Sequence, residues 1–178
     1  VTAISRELDF HKSGKNHKGF LSDLSRRILG TNKKLLPEFQ DNAIEMKTVR
    51  LKANGAPAEA MSFPKFDFLK IVNQAWEDSE FFEKLERKFL LVVFTEAPDG
   101  ALLLSRVFFW NMPYEDRLEA EAVWVKTKEL VSASLVSFPK QSETRVAHVR
   151  PHGRRGADKL PLPDGTLYAK QSFWLNPK

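Results

Sequence analysis

The stretch Ile44-Glu45-Met46-Lys47-Thr48-Val49-Arg50-Leu51 decides how this chain is read. Ile44, Met46 and Val49 stand among polar residues, which predicts a strand over 43–51. Side chains alternate along a strand with period two, so Glu45 and Lys47 share one face. Glu38, in Pro37-Glu38-Phe39 just upstream, is near enough to reach that face. Two carboxylates and a lysine are what metal-dependent phosphodiester hydrolysis needs. The carboxylates of Glu38 and Glu45 suit Mg²⁺, a hard cation that prefers oxygen ligands. The metal polarises the phosphate and activates water. Lys47 orients that water or stabilises the developing charge. The alternative is a plain solvated strand, because Glu-x-Lys recurs at Glu86-Arg87-Lys88, on an expected helix end without catalytic meaning.

Working outward, Asn54-Gly55 predicts a turn and a hairpin into 58–63. Upstream, Phe20, Leu21, Leu24 and Ile28 recur at helical spacing, with Gly30 as the stop. Downstream, 67–76 and 79–87 predict helices capped by Asp67 and Ser79. The apolar runs 89–94 and 102–110, separated by Pro98-Asp99-Gly100, predict two central antiparallel strands. The segment 113–131 predicts a long helix with Leu118, Ala122, Val125 and Leu130 toward the core. Strands are predicted over 145–150 and 168–175. The order gives a mixed α/β, α+β-like fold: a central, largely antiparallel sheet flanked by helices, in a single domain over 1–178.

Composition narrows the function classes. The 178 residues contain no Cys, which excludes disulfides, zinc ribbons and thiol catalysis. Fourteen Phe and four Trp argue against disorder. No apolar run approaches a membrane span, and no signal-peptide pattern opens the chain. Val1 at the start and Pro177-Lys178 after an apolar run look like cut ends, so a fragment of a longer protein is expected. The net charge of +5 is unevenly spread. Residues 1–34 carry eight Lys/Arg against three Asp/Glu, and 145–178 carry seven against two, while the middle is acidic. Basic ends fit a polyanion partner and an acidic middle fits a metal; scattered solvated charge is the alternative.

The second candidate site is Val146-Ala147-His148-Val149-Arg150-Pro151-His152-Gly153-Arg154-Arg155-Gly156. A strand delivers Arg150 to its end, and a glycine-containing basic loop follows. Arginine reads guanine in the major groove through a bidentate contact. Gly153 and Gly156 allow close approach of the backbone to DNA. An exposed polar loop is the alternative. His148 and His152 flank a proline and do not make a helical zinc pair. Trp76, Trp110 and Trp124 lie on apolar faces and read as core.

Taken in order, five motifs resemble the MutH-like restriction endonuclease family. They are Lys18-Gly19-Phe20-Leu21, Pro37-Glu38-Phe39, Ile44-Glu45-Met46-Lys47-Thr48, Val149-Arg150-Pro151-His152-Gly153 and Leu167-Tyr168-Ala169-Lys170-Gln171-Ser172-Phe173. A closer likeness is to the C-terminal MutH-like domain of the two-domain GATC-cutting enzymes of the Sau-three-A class. It is carried by Ala60-Met61-Ser62-Phe63, Trp76-Glu77-Asp78-Ser79-Glu80 and Gly156-Ala157-Asp158-Lys159-Leu160-Pro161, among others. The resemblance implies a restriction-endonuclease-like fold, double-stranded DNA containing GATC as partner, and a bacterial cytoplasmic setting. It implies sequence reading by Arg150, with His152 and Gly153 of the loop after it, and methylation sensing by Tyr168; the cations Arg154, Arg155 and Lys170 are expected on DNA as well. It makes Glu38 and Glu45 the metal acids and Lys47 the active-site lysine. Two departures stand out: Glu38 replaces the family's usual Asp, and Arg26 occupies the position of a catalytic-helix Glu. A cation there repels Mg²⁺ or replaces it electrostatically. The resemblance therefore implies an effector domain that binds GATC beside an N-terminal catalytic MutH-like domain of the same chain, with a dimer on DNA as one arrangement. The alternative is a competent Mg²⁺-dependent endonuclease using Glu38, Glu45 and Lys47.

Overall fold

The computed structural model describes residues 2–7, 19–31, 37–152 and 158–177. Its elements run α1 (Thr2–Glu7), α2 (Phe20–Ile28), α3 (Pro37–Asp41), β1 (Ile44–Leu51), β2 (Met61–Phe66), α4 (Phe68–Ile71), α5 (Glu80–Leu85), β3 (Lys88–Glu96) and β4 (Leu102–Trp110). Then come α6 (Tyr114–Ser132), β5 (Ala147–Pro151), β6 (Lys159–Pro161), β7 (Leu167–Ala169) and β8 (Gln171–Leu175). They form two compact units, Val1–Glu59 with Arg87–Asn111 and Ala60–Glu86 with Met112–Lys178. The class is mixed α/β, and every strand pair is antiparallel except β1 with β3.

In the first unit the strand order is β1-β3-β4. β3 is the middle strand and is buried from Phe89 through Phe94. The expected antiparallel pairing of the two apolar runs is present, but only β3 is central. β4 is an edge strand and leaves Leu103, Val107, Phe108 and Phe109 exposed. Apolar content alone does not distinguish a middle strand from an edge. The parallel neighbour β1 is reached through the long excursion between Leu51 and Lys88, the length of connection that parallel pairing requires.

Helix α2 follows the sequence pattern closely. It starts after Gly19, at φ 92°, and its apolar side buries Phe20 and Leu24 against Val92 and Phe94. Met46 of β1 packs on the same cluster. The helix ends in a Schellman turn at Gly30, φ 75°: Gly30 N–H donates to Arg27 and Thr31 N–H to Arg26.

The expected hairpin after β1 is corrected. The turn at Asn54-Gly55 forms, with Gly55 N–H donating to Lys52 and Ala56 accepting from Lys52. Pairing then stops at a single bridge, Leu51 with Pro57. Ala58 N–H still donates to the Arg50 carbonyl at 2.8 Å, and β2 beyond it pairs with β8 instead.

In the second unit the order is β2-β8-β5, all antiparallel, with a separate β6-β7 ribbon. Its core is aromatic. Phe173 of β8 stacks on Phe81 at 4.4 Å and lies 4.8 Å from Phe66. Trp76 packs at 5.7 Å from Trp124. Asp67 and Ser79 cap α4 and α5 through their side chains, as the sequence predicts. α4 stops at Ile71, however, well short of Trp76. The buried face of α6 is Ala120, Val123, Trp124, Thr127 and Val131, while Leu118 and Val125 are exposed. Thr127 faces the core because its hydroxyl donates to the Val123 carbonyl at 2.7 Å and needs no outside partner. The single closing strand expected over 168–175 divides at Lys170 into β7 and β8.

Candidate nucleic-acid interface and nuclease cluster

In the first unit, β1 places Glu45 and Lys47 on one face, as alternation requires, and Lys47 Nζ lies 2.8 Å from Glu45 Oε1. Both are partly buried. Glu38 is exposed on α3, which packs against β1, and its carbonyl accepts from Asn42 at 2.7 Å. Helix α2 also packs on β1, through Ser25 Oγ and Thr48 Oγ1 at 3.5 Å. The next residue, Arg26, is held by Asp23 and by Ser22 Oγ at 3.0 Å. Among the described residues, no three histidines or acids come together as a metal-binding group. Of the second Glu-x-Lys, only Glu86 lies on the expected helix end, as the C-cap of α5 paired with Arg117; Lys88 opens β3.

In the second unit the β5–β8 ladder builds a different surface. Arg150 lies opposite Ser172 and His148 opposite Trp174. Opposed residues share a face, and diagonal neighbours on that face are within reach of long side chains. The Arg150 guanidinium accordingly lies 3.6 Å over the Trp174 ring. His152 follows on the same face, with Nδ1 2.7 Å from Ser172 Oγ and its ring 5.1 Å from Trp174. Arg150 is exposed while Ser172 is fully buried, so an exposed cation stands on a buried strand. Gly153, Arg154 and Arg155 lie outside the described residues, as does Gly156.

Lys170, at the break between β7 and β8, is where the two stems of that segment meet. Its carbonyl accepts from His152 N–H at 3.0 Å and its N–H donates to the Asp158 carbonyl at 3.1 Å. Its ammonium also pairs with the Asp158 carboxylate, which Lys65 of β2 approaches from the other side at 3.2 Å. Lys170 and Lys65 together hold the Asp158 carboxyl below the usual carboxylate range. Tyr168 places its ring beside the stacked pair Phe68 and Phe138, at 6.4 and 6.1 Å. Arg145 pairs with Asp116 and Glu119 of α6, which hold it firmly in its charged form.

Sequence reasoning did not reach Trp174, Ser172, Asp158 or Lys65 as site residues. The first two carry a usable signal: two residues apart on a strand paired with the arginine strand, they share its face. Asp158 and Lys65 are far apart in sequence, and no spacing rule joins them.

Residues 29–121 match the family model described as MutH, DNA mismatch repair enzyme MutH. The chain is 30% identical over 226 aligned positions to the type II restriction enzyme Sau3AI of Staphylococcus aureus. That alignment covers 98% of this chain and 46% of the enzyme, so the chain spans about half the length of that relative. It is 24% identical over 153 positions to the DNA mismatch repair protein MutH of Shewanella sp. (strain MR-4), covering 84% of this chain and 69% of that protein.

Proposed function

The chain belongs to the MutH-like restriction endonuclease family, and on that premise we propose that it is a DNA-reading domain that recognises GATC and supports cleavage by a catalytic MutH-like domain. The Arg150–Trp174 stack carries this reading. An arginine that reads guanine must present its planar fork to O6 and N7 together. An indole beneath the guanidinium fixes that plane before DNA arrives, which lowers the ordering cost of binding. The His152–Ser172 hydrogen bond fixes the next residue on the same face. In this reading Gly153, Arg154 and Arg155 add backbone contacts, Tyr168 senses adenine methylation, and Lys170 stays paired with Asp158.

The effector role draws on the departures around β1. Arg26 stands where the family resemblance puts an acid, on the helix that packs against β1. Glu38 stands where that resemblance puts a shorter Asp. The likeness to a type II restriction enzyme about twice as long makes room for a separate catalytic domain.

A second reading, cleavage by this chain itself, is favoured by the Glu45–Lys47 pair on one face of β1. In that reading Glu38 and Glu45 hold Mg²⁺, which would polarise the scissile phosphate. The described residues do not assemble three such ligands, so the fit to a metal is incomplete and the chemistry rests on the trio alone.

Incubating the chain with Mg²⁺ and a GATC plasmid, beside Lys47→Ala, separates the two. GATC-selective binding without cutting is the expected result. Cutting at GATC that disappears in Lys47→Ala overturns the effector reading.

A further inference from the structure

Basic groups near a DNA-reading surface create a physical difficulty. Each lysine that meets a phosphate strengthens binding to every sequence alike, so unrestrained lysines raise affinity at the expense of selectivity. Lys65 and Lys170 are two such groups, and both face one carboxylate.

Asp158 does two things at once. Through its carbonyl it accepts from Lys170 N–H at 3.1 Å, and Lys170 in turn accepts from His152 N–H at 3.0 Å. β5 ends just before His152 and β6 begins just after Asp158, and both of these flanking residues are bonded to Lys170. Through its carboxylate, Asp158 holds the Lys170 ammonium and, at 3.2 Å, the Lys65 ammonium. These three charged side chains come from β2, from the β7–β8 break and from the residue before β6, and none is deeply buried. The backbone bond from Lys170 to Asp158 and the pairing of Lys65 opposite Ser172 on β8 bring the three charges together.

We propose that Asp158 is a positioning residue for sequence readout: its carboxylate clamps Lys170, to which the stems on either side of residues 153–157 are bonded, and it withholds Lys65 and Lys170 from the DNA backbone. This rests on the DNA-reading function proposed above. The depressed carboxyl of Asp158 agrees with a permanently ionised role at neutral pH.

The test compares wild type, Asp158→Asn and Asp158→Glu in two assays. The first is binding to a GATC duplex and to a scrambled duplex across a salt series. Asp158→Asn releases up to two cations, so its salt slope on the scrambled duplex steepens by roughly 0.9 per lysine released, up to roughly 1.8. Its affinity for the scrambled duplex rises while its GATC preference falls, and Asp158→Glu restores both. A purely structural role weakens both duplexes together and leaves the slope alone. The second assay is amide hydrogen exchange without DNA. His152 and Lys170 amides exchange faster in Asp158→Asn than in wild type, while the Val149 amide, bonded to the Pro139 carbonyl, does not change. An unchanged slope, or unchanged exchange at both stem amides, overturns the proposal. A wild type that binds both duplexes equally instead sinks the GATC reading, and the slope on the scrambled duplex still decides the role of Asp158.

Discussion

Arg150 lies over Trp174, with its guanidinium carbon 3.6 Å from the ring centroid. The β5–β8 register makes the two residues diagonal neighbours on one face. Arg150→Ala is expected to lower the preference for GATC by about 1–3 kcal/mol. Arg150→Lys does not restore it, because an ammonium has no planar fork and stacks poorly. Trp174→Leu keeps the cation and loses the platform, costing about 0.5–2 kcal/mol of preference. Competition binding against a scrambled duplex measures all three. A Trp174→Leu protein with wild-type preference removes the stack from the readout.

Phe173 points away from that surface and anchors it. It is 2% exposed, stacked on Phe81 at 4.4 Å and beside Phe66 at 4.8 Å. Its strand neighbours are Ser172 and Trp174, so packing of one face of β8 positions chemistry on the other. Phe173→Ala is expected to cost about 3–5 kcal/mol of stability and to lower GATC preference with it. Urea unfolding followed by binding at low temperature checks the pair. Lost stability with fully retained preference would separate the two faces.

The sequence made some of this legible and concealed the rest for physical reasons. α2 was readable because helical spacing, a glycine stop and an apolar stripe agree at one place. The pairing of Glu45 with Lys47 followed from strand alternation alone. The face of α6 was not readable, since Thr127 satisfies its own hydroxyl and Leu118 stays exposed. The partner of β2 was hidden because Asn54-Gly55 is a strong hairpin signal, yet the pairing it starts goes no further than the Leu51–Pro57 bridge. In the reading surface, Arg150 was legible from its loop. Its platform Trp174 was not, because the two-residue spacing of Ser172 and Trp174 puts them on one face of β8 but does not say which strand pairs with it.

Gly30 tests the local rule most directly. At φ 75° it closes the Schellman turn, and a Cβ built there meets nothing within 4 Å. Crowding is therefore absent, and only the left-handed backbone opposes a side chain. Gly30→Ala is expected to cost about 1–2 kcal/mol, and Gly30→Asn less, because asparagine tolerates this conformation. Denaturant midpoints of the two variants check it. Equal losses would mean that the turn is not the source of the cost.

His148 sets how stability depends on pH. It is 2% exposed, with Nδ1 2.6 Å from Asn176 Oδ1. Asn176 Nδ2 donates to the Thr144 carbonyl at 2.7 Å, so its oxygen faces the imidazole and Nδ1 carries the proton. Nε2 is buried and has no hydrogen-bond partner among the described residues. Protonating it would place a charged N–H against nothing that accepts. Burial, aided by the nearby Arg150 charge and opposed by the Asn176 hydrogen bond, lowers the His148 pKa below its ordinary 6.5. Above 6.5 both folded and unfolded chains hold this histidine neutral, and it contributes no pH dependence. Below 6.5 the unfolded chain takes up a proton that the folded chain refuses, so stability falls as the pH drops toward the lowered folded value. Urea midpoints should therefore decline from pH 7 toward pH 5. His148→Phe, which removes the titrating group, should flatten part of that decline even though it strands Asn176 Oδ1 and lowers stability at every pH. An equally steep decline in the variant would assign the effect to other groups.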